Sequence, residues 1–206
     1  MDARTRQLER RWAENPEDEE AAAAFLIGQV RIGLDRMLIH CATFLGSRAC
    51  GAAVEGMAEE FPPHPSTAYR NSYGHYWLER LGRLMEAVRD DDQRAWVMCL
   101  VAHSVIEADV NQRWSRRGIK KRIEIKALEL SQEFLRNPTE ENRANLLLPE
   151  GDWTVKPWHC MARAAYWEWP KTHEVLRRLV PKAGVAVQAR TTIREGLINY
   201  MRNYAP

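Results

Sequence analysis

The chain has 206 residues, with 30 Lys and Arg against 28 Asp and Glu, a net charge of +2 and a pI near 8.4. That near-balance excludes binding of nucleic acid by bulk charge, so any polyanion contact has to come from a local patch. Hydrophobic residues at 45% and charged residues at 28% are ordinary for a soluble globular protein, and the length permits one domain, or two tightly joined helical halves over 1–90 and 91–206.

The opening MDARTRQLERRW is charged and lacks the apolar core of a signal peptide, and no apolar run approaches membrane-spanning length. The four cysteines (Cys41, Cys50, Cys99, Cys160) are far apart and sit in apolar helical contexts. That usage is expected of reduced, buried thiols in a cytoplasmic protein.

Residues 3–13 read as a short polar helix closed by Asn15-Pro16. Asn at the N-cap and Pro at the first helical position predict the next helix start, with Glu17, Asp18, Glu19 and Glu20 in the first turn, where the helix dipole favours negative charge. This helix runs through AAAAFLIGQVRI and yields at Gly33. Leu34, Met37, Leu38, Cys41 and Leu45 follow helical spacing, with Gly46 as the residue past the helix end. Residues 47–60 form a further Ala- and Gly-rich helix suited to close packing. Residues 61–75, FPPHPSTAYRNSYGH, break the pattern and read as a long loop. Helical spacing resumes with Leu78, Leu81, Met85 and Val88, and Asp90, Asp91 and Asp92 lead into the next element.

That element, residues 93–114, is the centre of the reading. From Ala95 to Ala102 every residue is apolar, so the helix has no water-facing side there and belongs in the middle of an all-α core. Further on, Val105, Ile106, Val110 and Trp114 fall on one side, and Glu107, Asp109, Asn111 and Gln112 on the other, expected to face water. A basic segment follows around Gly118, and then Ile123, Ala127, Leu130 and Phe134 define another helix. Asn137-Pro138-Thr139-Glu140 repeats the Asn-Pro helix start. Residues 147–158 read as a second loop, 159–168 and 172–180 as short helices, and about 183–203 as a final helix with Gly196 inside its pattern, a residue that weakens a helix interior. Asn-Pro and His-Cys each occur twice, a weak repeat. The expectation is an all-α fold: a single compact multi-helix domain of about eight helices, an α-hairpin array around the central buried helix.

Two stretches carry a resemblance. RIGLDRMLIHCATFLGSRACGAAV is similar to a segment of small helical proteins of high-GC bacteria known as immunity proteins, and WVMCLVAHSVIEADVNQRW with ALELSQEFLRNPTEENRANLL resembles their central region. The likeness spans roughly residues 8–55 and 94–147 and rests on apolar spacing and caps. It implies an all-α, cytoplasmic, non-enzymatic protein that binds and neutralises another protein, and it carries over no catalytic residue.

Four groups of residues are candidates for chemistry or binding. Arg70, Asn71 and His75, in RNSYGH, fit the R-x4-6-H pattern of helical HEPN ribonucleases, which pair two such motifs across a homodimer. In that chemistry His is the general acid or base and Arg holds the scissile phosphate. Gly74 and the upstream prolines favour the plainer reading, a polar loop in which His75 bonds to backbone. Cys99, His103 and Glu107 share one helical face, with His40, Cys41, His159 or Cys160 as a further ligand, but without C-x-x-C or H-E-x-x-H the reading is buried thiol and hydrogen-bonded His, and no metal is expected. The basic cluster Arg113, Arg116, Arg117, Lys120 and Lys121, beside Trp114, offers contact with an acidic partner or phosphate, or simply offsets a helix C-terminus. Trp153, Trp158, Trp167 and Trp169 form either a core cover or an aromatic docking surface, since Trp, Tyr and Arg are favoured interface anchors. No phosphate-binding glycine loop, nucleophile elbow or paired-carboxylate site is visible, so no cofactor is expected. The leading partner is another protein. Nucleic acid enters only through residues 113–122, no membrane is implied, and a homodimer is compatible.

Overall fold

The computed structural model describes residues 3–15, 18–58, 76–117, 122–147, 159–166, 169–181 and 184–204. Among these residues all regular structure is α-helical: α1 (Ala3–Glu14), α2 (Glu19–Arg31), α3 (Arg36–Phe44), α4 (Arg48–Gly56), α5 (Trp77–Glu86), α6 (Asp91–Arg117), α7 (Arg122–Arg136), α8 (Glu140–Asn145), α9 (His159–Ala165), α10 (Trp169–Leu179) and α11 (Val185–Asn203). The all-α class read from periodicity is the one observed. Among the described residues eleven helices stand where the total expected is about eight, and each falls at a place where the chain-order reading marks a helix. No helix among the described residues is long and apolar enough to cross a membrane. The chain divides into two compact units, one of Met1–Ser72, Arg83–Arg89 and Arg194–Pro206, the other of Tyr73–Gly82 and Asp90–Ile193.

In the first unit α2 packs on α1 and α4, and α3 on α4. Small residues permit this: Ala21, Ala22, Ala49 and Ala53 are buried, and a Cβ at Gly56 would stand only 3.2 Å from Ile27. Gly46 follows the C-cap of α3 at φ +94°, the left-handed conformation that lets an L-residue's neighbour turn sharply without a Cβ clash. Asp35 caps α3 by accepting from the Met37 N–H at 2.8 Å, and accepts as well from the Arg89 N–H. Near the two chain ends, Arg202 donates to the Trp12 carbonyl at 3.0 Å and lays its guanidinium over the Trp12 ring at 4.3 Å.

Both Asn-Pro helix starts are corrected. Asp18, not Asn15, is the N-cap of α2, accepting from the Ala21 N–H at 2.9 Å and from Arg11 at 2.9 Å. Thr139, not Asn137, caps α8 by accepting from the Asn142 N–H at 3.2 Å. In each case the Asn carbonyl instead accepts the N–H of the true cap, at 3.0 and 2.8 Å. A turn therefore precedes each helix, and the next side-chain oxygen in register takes the free helical N–H.

In the second unit α6 packs against α7, α9 and α10. Every residue from Ala95 to Ile106 is buried, as all-round apolarity predicts for Ala95–Ala102. Asp90 starts α6 by accepting from the Gln93 N–H at 2.8 Å. Gly82 of α5 meets the Trp169 indole so closely that a Cβ there would collide with Nε1 and stand 3.0 Å from Cε2. α11 runs unbroken through Gly196, a residue that weakens a helix interior, and Ile193, Leu197 and Met201 are buried along one of its faces.

Candidate functional site

The described functional groups concentrate where α7 lies against α6. Among the described side chains of α7 the buried ones are Glu124, Ala127, Ser131 and Phe134, an i, i+3, i+7, i+10 seam. Ala127 and Phe134 are as the apolar pattern predicts. Leu130 is only half-buried, and the seam takes in the polar Glu124 and Ser131 instead.

These polar groups meet α6 at three levels. Arg113 donates through Nη2 and Nη1 to the two carboxylate oxygens of Glu124, at 3.0 and 3.4 Å, while its Nε donates to Asp109 Oδ2 at 2.9 Å. His103 Nδ1 and Ser131 Oγ are 2.7 Å apart, and the Trp96 indole N–H donates to the Leu135 carbonyl at 3.0 Å. The partners run 113, 103, 96 on α6 against 124, 131, 135 on α7, so the two helices are antiparallel and each contact helps set one register.

The upper level overturns one expectation. Asp109 is not on a water-facing side: it is 3% exposed, as is Glu124, and the two buried carboxylates share the Arg113 guanidinium. A buried carboxylate is tolerated only with such a charge-assisted, bidentate partner. Arg113, one of the candidate partner-binding cations, is thus committed within the α6–α7 seam.

At the middle level the hydrogen positions follow from bonding. The Ser131 hydroxyl donates its one proton to the Leu128 carbonyl at 2.9 Å, so it accepts from His103, whose proton sits on Nδ1. Nε2 carries the lone pair, 3.9 Å from Glu107 Oε2. Burial pushes the imidazole down to about 4, so the ring is neutral at ordinary pH. Ser131 is wholly buried. The pair is built for holding helices together rather than for attack on a substrate.

A further polar knot, apart from those three levels, lies at α8. Arg143 donates through Nε to the Ala165 carbonyl, the last of α9, at 2.8 Å, and stacks on the Tyr166 ring at 4.7 Å. Its Nη1 reaches Glu140 at 3.4 Å. This cation satisfies a helix C-terminus and offsets its dipole.

The thiols are inert. All four cysteines are free and buried, and burial raises each of them, Cys50 to about 11 and Cys160 to about 12, with Cys41 and Cys99 higher still. His159 heads α9, buried beside Cys160, and His40 lies in α3 next to Cys41. Among the described residues no group of three or more His, Cys, Asp or Glu side chains comes together to hold a metal ion, the set Cys99, His103 and Glu107 included.

Of the aromatic candidates, Trp169 is 4% exposed, pinned at the start of α10 against Gly82 and beside His173 at 6.0 Å. It fills the core and presents almost no surface to a partner. Trp153, Trp158 and Trp167, the segment with Arg70, Asn71 and His75, and Lys120 and Lys121 lie outside the described residues, as do the side chains of Trp114, Arg116 and Arg117.

What sequence reasoning missed is the outward side of α7. Ile125 is 38% exposed, Leu128 and Leu135 are half-buried, and Leu147 beyond α8 is 42% exposed. The available signal was that RIEIKALELSQEFLR holds more apolar residues than one helical seam can bury. No family model, no curated protein and no solved structure matches this chain.

Proposed function

We propose that the chain is a non-enzymatic helical binding protein, an immunity- or antitoxin-type partner that holds another protein. The observation that carries this reading is the inversion of α7: two polar side chains, Glu124 and Ser131, point into the seam, while Ile125, Leu128 and Leu135 form a second stripe at i, i+3, i+10 outside it. A helix face of that kind, apolar and flanked by Lys126, Glu129 and Gln132, has the make-up of a helix-recognition surface. Reduced thiols fit a cytoplasmic setting, and the resemblance in residues 8–55 and 94–147 points the same way.

The test has two arms. The first captures proteins from the native host on wild type and on Ile125→Glu/Leu147→Glu, with circular dichroism showing that both fold. A partner lost only from the double variant supports the surface, and a partner kept equally by both removes it. The second arm expresses wild type and His75→Ala in a bacterial host and follows growth and RNA integrity. Growth arrest with RNA cleavage by wild type alone would replace this reading with a ribonuclease acting through Arg70 and His75.

A further inference from the structure

Among the described side chains of α7, the buried ones are divided between the apolar Ala127 and Phe134 and the polar Glu124 and Ser131. The polar levels are thus part of what attaches the helix, and the middle level contains a titratable ring. We propose that the His103–Ser131 contact is an acid-released latch: protonation of the imidazole drives the ring outward to Glu107, breaks the bond to Ser131 and loosens α7 from α6.

The geometry supplies each step. With Ser131 committed to the Leu128 carbonyl, the neutral ring holds α7 through its single N–H and turns a bare lone pair toward Glu107. A proton gained at Nε2 becomes a second donor, and the carboxylate within reach of it is Glu107, whose side chain is 38% exposed at the rim. With the ring in place a protonated Nε2 stands 3.9 Å from the Glu107 carboxylate, beyond hydrogen-bond reach, and the burial of the ring disfavours the charge. Rotation toward the rim gives the charge both a carboxylate and water. Ser131 keeps its bond to Leu128 but loses the one that crosses between helices.

On α6 the same face carries the protonated Cys99 thiol and Glu107, and α7 presents Ser131. α9 and α10 also pack on α6 and carry His159, Cys160 and Arg163, and Lys171, His173 and Glu174, while the polar contacts of the His103 ring are those to Ser131 and Glu107. Burial is the cause that lowers the ring to about 4, with no neighbouring charge needed to account for it.

Amide hydrogen exchange of the whole chain tests the latch, followed from pH 7.5 to 4.5 and corrected for intrinsic exchange. Protection of α7 is expected to fall about tenfold per pH unit below 6.5, the signature of one proton taken up on opening, while α2 stays constant. His103→Gln, which can still donate to Ser131 but cannot charge, is expected to abolish the fall, and Glu107→Gln to move it to lower pH. Constant α7 protection, or an equal fall in His103→Gln, overturns the latch. A variant that fails to fold leaves the wild-type ring titration by NMR as the deciding measurement. An imidazole that titrates at its ordinary value without any change in α7 also overturns it.

Discussion

Two buried polar sites, one in each compact unit, are satisfied in opposite ways. In the first, Gln29 of α2 is fully buried and neither its amide oxygen nor its nitrogen has a protein partner. In the second, Asp109, Glu124, Ser131, His103 and Arg143 are buried too, and each is bonded to a group on another turn or another helix. An orphaned amide destabilises by its desolvation, whereas a satisfied network fixes register at a high cost of breaking. The lesson is that equal burial predicts opposite signs on mutation, and that the second unit's specificity lies in its polar contacts.

The comparison breaks most sharply at Arg113. Arg113→Ala leaves two buried carboxylates facing each other's charge, and a loss of about 3–5 kcal/mol is expected from chemical denaturation. A loss under ~1 kcal/mol would mean that other contacts of Asp109 and Glu124 carry them.

Acid comes next. The fold holds the His103 imidazole down at about 4, against an ordinary 6.5, so the unfolded chain takes up the proton first. The stability from the neutral ring is complete above pH 6.5 and declines as pH falls through 6.5 toward 4, up to ~3 kcal/mol in all. Unfolding midpoints in urea at pH 7 and pH 5, for wild type and His103→Gln, measure it. A difference that is the same in both proteins assigns the effect to other groups.

Gly82→Ala tests apolar packing in the same unit. Its new methyl has no space against the Trp169 indole, and overpacking of this kind costs about 2 kcal/mol. Adding Trp169→Phe is expected to restore part of that loss, and thermal melts of the single and double variants decide it.

Gln29→Met carries the comparison into the first unit with the opposite sign. Replacing an unpartnered amide by an apolar side chain of similar shape is expected to raise stability by about 1 kcal/mol. A fall of that size would show that Gln29 bonds to buried water. The smallest effect concerns the corrected cap. Thr139→Ala is expected to cost about 1 kcal/mol and Asn137→Ala close to nothing, by the same urea titration.

Legibility followed the range of the interaction. The core face of α5 at Leu78, Leu81, Met85 and Val88, the buried centre of α6 and the close of α3 at Gly46 were all readable, because each is written in a local spacing. The Asn-Pro caps misled because two side-chain oxygens stood within three residues of each other, and only backbone geometry chooses between them. The candidate site was scarcely readable. Asp109 looks like a surface acid beside Asn111 and Gln112, and becomes a core residue only because Arg113 and Glu124 converge on it. Trp169 looks like an interface anchor, and is buried because Gly82, distant in sequence, leaves a slot for its ring.

By itself, then, the sequence determined that this protein is all-α and that residues 95–102 lie at the centre of a core, since burial of an apolar period needs no knowledge of the partner. Only the tertiary structure decided that α7 turns Glu124 and Ser131 inward and Ile125 outward. A buried polar group is stable only opposite its complement, and which complement stands opposite is settled by the antiparallel register of two helices, not by either one alone.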